Sequence, residues 1–230
     1  MTDRGRIAAF FDIDHTVLEI NSGRSWITYM RRTGKMGVVE LLRSLGWLVQ
    51  YRFGLLDFAA MARRVASHYV GQHVSPLAQE VEEWFAKDVE WAICREARDR
   101  IAEHQAQAHV PVLLTSATQF LTVPVARAVG VEHFLCTEIE VEDGVLTGRY
   151  IEPACYGPGK VTRAEQFAAA HGVDLGKSFF YTDSFSDLPM LERVGEPRVV
   201  NPDPRLRRRA LERGWSIETW RAPARAAEAS

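Results

Sequence analysis

The chain has 230 residues, 47% hydrophobic and 25% charged, with a formal net charge of -2. That length can bury a good core and carry one domain plus an insertion, while the near-balanced charge gives no electrostatic case for nucleic acid. Three cysteines (Cys94, Cys136, Cys155) share no metal-ligand spacing and read as buried free thiols, and no apolar run reaches the roughly 20 residues that span a bilayer.

The first predicted element is a strand at residues 7–11, Ile-Ala-Ala-Phe-Phe, running into Asp12-Ile13-Asp14-His15-Thr16. The apolar run is too short for a secretory signal and stops at Asp12, so the expected location is cytoplasmic. An apolar segment that ends abruptly in carboxylates reads as a buried strand whose C-terminal end opens into a site. Strand side chains alternate with a period of two, so Asp12 and Asp14 can leave on the same side. Two close carboxylates repel unless a cation sits nearby or one is protonated, which favours a metal-assisted site.

Residues 20–104 are strand-poor and helix-like. Val38, Leu41, Leu42, Leu45, Leu48 and Val49 recur at helical spacing, Gly54 and Gly71 punctuate the stretch, and Ser75-Pro76 marks a helix start. Trp26, Trp47, Trp84 and Trp91 all fall here. They are expected to build the core of this helical unit, one of them being a candidate pocket wall.

A second strand is expected at residues 110–115, followed by Ser116-Ala117-Thr118, small residues suited to holding an oxyanion. Alternating residues from 137 to 151 flank Asp143-Gly144, a turn pair that predicts an antiparallel hairpin projecting from the sheet. Lys160, in Gly157-Pro158-Gly159-Lys160, places a point charge at the head of a helix. A third strand at 179–182 runs into Asp183 and Asp187, and Asp187 before Leu188-Pro189 fits a helix N-cap. A strand at 198–200 and a helix at 206–213 complete the alternation, with Arg205, Arg207, Arg208 and Arg209 as an exposed face and a frayed tail at 222–230. Strands alternating with helices predict a doubly wound parallel α/β sheet, in which ligands sit beyond the carboxyl ends of the strands.

The ordered set — DxDxT, a strand ending in Ser116, Lys160, then a strand ending in Asp183-x-x-x-Asp187 — resembles the haloacid dehalogenase superfamily of phosphatases from about residue 7 to about residue 200. The tail Asp187-Leu188-Pro189-Met190-Leu191 resembles its phosphoserine-phosphatase branch. The resemblance implies a Rossmann-like core at residues 1–19 and 105–230, interrupted by a helical cap at 20–104. It also implies Asp12 as nucleophile and Asp14 as general acid and base. Mg²⁺ would be held by Asp12, Asp183 and the Asp14 carbonyl, with Asp187 touching it through water or orienting its shell. Ser116, the Ala117 N–H and Lys160 would hold the phosphoryl oxygens. Thr16 would fix the loop after the nucleophile, and His15 is a loop side chain.

The expected partner is a small phosphomonoester of the phosphoserine or histidinol phosphate type. The glutamate that grips the amino group in phosphoserine phosphatases is matched by Asn21, the carboxylate-binding cap arginine by Arg63, and the Asn of D-x-x-N-D by Ser186. Two alternatives stay open. The apolar stretch 38–58, with Trp47, Tyr51, Phe53, Arg43 and Arg52, suits a membrane surface and a phospholipid headgroup as well as a cap core. The same scaffold also serves phosphotransferases and non-catalytic binding modules.

Overall fold

The computed structural model describes residues 5–37, 46 and 58–224. The apolar segment expected as a helix at 38–49, the lipid-surface residues Trp47, Tyr51 and Phe53, and the tail beyond Ala224 lie outside the described residues.

Six parallel strands form one sheet in the order β3-β2-β1-β6-β7-β8. They are β1 (Ala8–Phe11), β2 (Val110–Thr118), β3 (His133–Thr137), β6 (Phe179–Thr182), β7 (Glu196–Val200) and β8 (Ser216–Glu218). β1 explains why the sheet is covered twice. Its four residues are fully buried, and they divide by parity. Ala9 and Phe11 join one hydrophobic cluster, Ala8 and Phe10 the other. The first cluster takes Ala97 and Ile101 from α4 (Arg95–Ala106) and Val125 and Val129 from α5 (Gln119–Val129). The second takes Phe167 from α6 (Pro158–His171), Leu191 from α7 (Leu188–Arg193) and Leu206 from α8 (Pro204–Arg213). The expected doubly wound sheet is the observed one. The chain winds leftward from β1 to β3, then crosses to β6 on the other side of β1. The strand order therefore reverses at β1, and a crevice opens at its carboxyl end.

The insertion after β1 contains α1 (Ser22–Arg32), α2 (Phe58–His68) and α3 (Val74–Trp84), then a π turn at Phe85–Val89. Trp84, fully buried, packs edge-on against Trp26 at 5.3 Å and anchors this unit. α4, placed within 20–104 by the sequence reading, instead lies on the sheet against β2. The hairpin is as expected: β4 (Ile139–Glu142) and β5 (Val145–Tyr150) pair antiparallel, with positive φ at both Asp143 (50°) and Gly144 (76°), as a type I′ turn requires. Its edge does not project freely. Gly71 N donates to Leu146 O, Leu146 N to Gln72 O and Val74 N to Gly144 O, each at 2.9 Å. The loop between α2 and α3 thus acts as a third strand that fastens the insertion to the hairpin.

One cap organises the far side of the crevice. Asp203 Oδ1 accepts from Arg205 N (2.7 Å) and Leu206 N (2.9 Å) at the head of α8, while its Oδ2 accepts from Phe185 N (2.7 Å). We expect Asp203→Ala to cost about 1–2 kcal/mol in a urea titration. A loss under a few tenths would show that the cap does not hold this loop.

Candidate active site

The crevice is built on three strand ends. Asp12 follows β1 and still pairs like a strand residue, its N–H donating to Tyr181 O of β6 at 2.9 Å. The residue is 4% exposed. Oδ1 accepts from Ile13 N (2.8 Å) and forms an ion pair with Lys160 Nζ (3.2 Å), while Oδ2 makes no hydrogen bond among the described residues. Beyond Asp12 the chain turns through His15, whose φ is 55°. Leu18 N donates back to Ile13 O at 2.8 Å, and Asn201 Nδ2 to His15 O at 3.1 Å. These backbone contacts fix the loop. The Thr16 hydroxyl is buried and has no hydrogen-bond partner among the described residues.

Asp14 sits at the mouth of the loop. Its Oδ1 accepts from Ser22 N (2.8 Å) and its Oδ2 from Asn21 Nδ2 (2.7 Å). Asn21 Oδ1 in turn accepts from Arg24 N (2.8 Å) and caps α1. Asn21 therefore orients Asp14 with both ends of its amide engaged. An asparagine before Ser22-Gly23 is itself a helix-start signal, and it was legible as one.

Lys160 stands in the first turn of α6, 2% exposed, with Nζ 2.7 Å from Asp187 Oδ2. Gly159 lets α6 start this close, because a Cβ there would lie 1.9 Å from Ala154 O. Asp187 occupies the N-cap position of α7, but its side chain makes no capping bond. It turns inward, and Oδ2 accepts from Lys160 and from Thr182 Oγ1 (2.6 Å). Thr182, which the sequence reading passed over, is thus part of the site.

Ser116 and Ala117 fall where β2 slips register against β3, between Leu114 and Thr118. Such an irregularity re-aims residues out of a ladder. Ala117 N reaches Thr115 Oγ1 at 3.2 Å, and the N-terminus of α5 follows two residues later, its dipole favouring an anion. Asp183 ends the group. Its carboxylate makes no hydrogen bond among the described residues.

The electrostatics are lopsided. Four carboxylates, Asp12, Asp14, Asp183 and Asp187, share one lysine. Burial, then Asp187 and Asp14, push Asp12 up to about 7 against the pull of Lys160. Burial likewise raises Asp14, opposed by the Ser22 N–H, and burial with Asp12 and Asp187 lifts Asp183 well above the carboxylate range. Burial lowers the Lys160 ammonium, but Asp12 and Asp187 more than offset it and hold its pKa above the ordinary value. Uncompensated negative charge on hard oxygens fits a divalent cation of the Mg²⁺ kind, which keeps several waters and needs one or two carboxylates. Among the described residues no group of three or more His, Cys, Asp and Glu is placed to hold a metal ion by itself. Asp12 and Asp183 are the carboxylates that would hold such an ion, with water completing its shell.

Beside Asp14 and Ser116 a cavity of ≈ 390 Å³ opens under α1 and α2. Trp26 forms part of its wall, the pocket role set aside for one tryptophan. Arg63 does not line it; exposed on α2, it faces the Tyr150 hydroxyl, and the neighbouring Arg64 reaches the cavity instead.

Comparison with known proteins places this geometry. A family model described as haloacid dehalogenase-like hydrolase matches residues 9–192. The chain is similar to a histidinol-phosphatase of Neisseria meningitidis serogroup C, at 31% identity over 91% of this chain and 96% of that one. It is also similar to a phosphoserine phosphatase of Mycobacterium tuberculosis, at 32% identity over 96% and 73%. A crystal structure of a protein of unknown function from Bordetella pertussis Tohama I superposes with a TM-score of 0.85 at 34% identity, covering 93% of this chain and 98% of that one.

Proposed function

The chain belongs to the haloacid dehalogenase-like hydrolases and is a phosphatase; from that premise we propose that it hydrolyses a small phosphomonoester in a Mg²⁺-dependent reaction through an aspartyl-phosphate on Asp12. The observation that carries this reading is the unequal pair of oxygens on Asp12. Oδ1 accepts from Ile13 N and pairs with Lys160, while Oδ2 makes no hydrogen bond among the described residues and keeps its lone pairs for attack.

In the first step Oδ2 forms a bond to phosphorus as the ester P–O bond breaks, and Asp14 gives its proton to the departing alkoxide. Burial raises the Asp14 pKa and so favours its protonated form, as a proton donor needs. In the second step the Asp14 carboxylate takes a proton from water, the water oxygen bonds phosphorus, and the bond to Asp12 breaks. Ser116 Oγ, Ala117 N–H and the remaining N–H of Lys160 hold the phosphoryl oxygens. Mg²⁺, held by Asp12, Asp183 and the Asp14 carbonyl, would offset charge on those oxygens. Asp187 serves as the anchor of Lys160. The insertion after residue 20 is the cap. The lipid-surface reading rested on residues 38–58, all of which but Gly46 and Phe58 lie outside the described residues.

Phosphoserine and histidinol phosphate, the substrates named for the relatives, are the first esters to assay. Phosphate release is expected in Mg²⁺ and to fall to background in EDTA. Ion binding at 100 times Kd stabilises by about 2.7 kcal/mol, so Mg²⁺ should raise the melting temperature by roughly 5–10 °C. Asp183→Asn should abolish that shift. Release that survives EDTA, or a shift that survives Asp183→Asn, would remove the metal from the scheme.

A further inference from the structure

Resting on the hydrolase reading, the cavity beside Asp14 says what kind of alcohol leaves. The leaving oxygen must lie against Asp14, so the body of the alcohol extends into the space that Asp14 and Ser116 open onto. Met30, Met36 and Met61 line it with Leu121, Val65 and Phe58. Trp26 adds a ring whose Nε1 is already given to Tyr69 Oη at 3.2 Å, so the indole N–H is spent and the Tyr69 hydroxyl proton is the donor this wall keeps. Methionines fill and reshape to irregular apolar guests, and a cavity near 390 Å³ falls within the usual size of small-ligand sites.

The charges point the same way. Asp14 is the one carboxylate among the described lining residues, and both its oxygens are engaged by Ser22 N and Asn21 Nδ2. Glu80, whose charge reaches Tyr69 but which is not among the described lining residues, is held by Lys35 at 2.7 Å. Arg64 and His68, both exposed residues, are the basic side chains of the lining. An ammonium buried in this space would lack a counter-charge from the described walls, a costly arrangement, whereas methylenes and rings gain from burial.

We propose that the enzyme's preferred substrate is the phosphomonoester of an uncharged alcohol with an apolar or aromatic body, with the three-methionine wall as its specificity surface. Two measurements in Mg²⁺ test this. The first is calorimetric affinity for ethyl-, butyl- and hexylphosphonate, which cannot be hydrolysed, so binding is read apart from turnover. The second is kcat/KM for the matching alkyl phosphates, whose leaving groups are of similar basicity, beside phosphoserine and histidinol phosphate.

Affinity and kcat/KM should each rise roughly two- to fourfold per methylene from ethyl to hexyl, and hexyl phosphate should exceed both amine-bearing esters. Met61→Glu, which sets a carboxylate in the wall, should reduce the hexyl-to-phosphoserine ratio at least tenfold; if that variant does not fold, the wild-type series still decides. Affinity that stays flat with chain length, or phosphoserine or histidinol phosphate outrunning hexyl phosphate, overturns the proposal and leaves the hydrolase intact. Release from no ester at all, with affinity still rising along the phosphonates, overturns the hydrolase reading and leaves the apolar site.

Discussion

Asp12→Asn is expected to lower phosphate release by about 10³-fold or more while the chain stays folded. An amide nitrogen in place of Oδ2 has no lone pair to offer phosphorus, so the covalent route closes and only residual positioning effects remain. The fold should tolerate the change, because the amide oxygen can still accept from Ile13 N, the 2.8 Å bond that sets the side chain. Linkage makes a second, independent expectation. The Asp12 pKa is raised from 3.8 to about 7 in the folded chain, chiefly by burial. The folded state therefore keeps a proton that the unfolded chain has lost between those values. This group's contribution is fully present below about pH 4 and disappears as pH rises through about 7. Asn cannot ionise, so in EDTA the urea midpoint of Asp12→Asn should fall less between pH 4.5 and 7.5 than that of the parent. Turnover within tenfold of the parent would dismiss Asp12 as nucleophile, whatever the stability profile shows.

What the sequence made legible was what is local. A run of four buried residues ending in two aspartates signals a strand covered on both faces, and Asp143-Gly144 signals its turn, because each rests on the conformational limits of a few neighbouring residues. Edge strands β3 and β8 escaped notice. β3 is only partly buried along three of its five residues, and β8 has three residues, none of them buried. Neither carries the apolar run that marks a central strand. The slip of β2 against β3 that frees Ser116 and Ala117 is a property of two strands together and has no signature in either.

The same distinction runs through the site. Lys160 was identifiable from glycines that permit a tight helix start, whereas its anchoring by Asp187 and Thr182 joins elements far apart in the chain. Arg63 shows how finely a helix divides roles. One residue turns the direction of a side chain by about 100°, so Arg63 faces Tyr150 while Arg64 faces the cavity. A motif match tolerant of one position cannot tell them apart. Asn201 and Asp203, which hold the nucleophile loop and the Asp183 loop from behind, lie near residue 200 and reach back across the fold. Nothing near them in sequence names those partners.

Lys160→Met carries the other large expectation, because it acts on stability as well as on turnover. The side chain fills similar space, so the packing under α6 is kept, and what is lost is charge. Nζ lies 2.7 Å from Asp187 Oδ2 and 3.2 Å from Asp12 Oδ1, and all three groups are nearly inaccessible to water. Removing one member of a buried ionic cluster leaves the others uncompensated and costs about 3–5 kcal/mol. Asp12, Asp14, Asp183 and Asp187 would then face one another without the lysine that neutralises them. The cost should depend on pH in a defined direction. In acid, protonation of Asp12, already raised to about 7 with the lysine present, removes the repulsion. The difference between parent and variant in EDTA should therefore be small at pH 5 and approach its full value at pH 8. Adding Asp187→Asn to the variant removes one of the stranded charges and should recover part of the loss, a coupling of roughly 0.5–3 kcal/mol in a double-mutant cycle. Turnover should not recover with it, since the N–H that Lys160 offers a phosphoryl oxygen is absent from both variants. A loss below about 1 kcal/mol at pH 8 would mean that Lys160 is not what holds these carboxylates together.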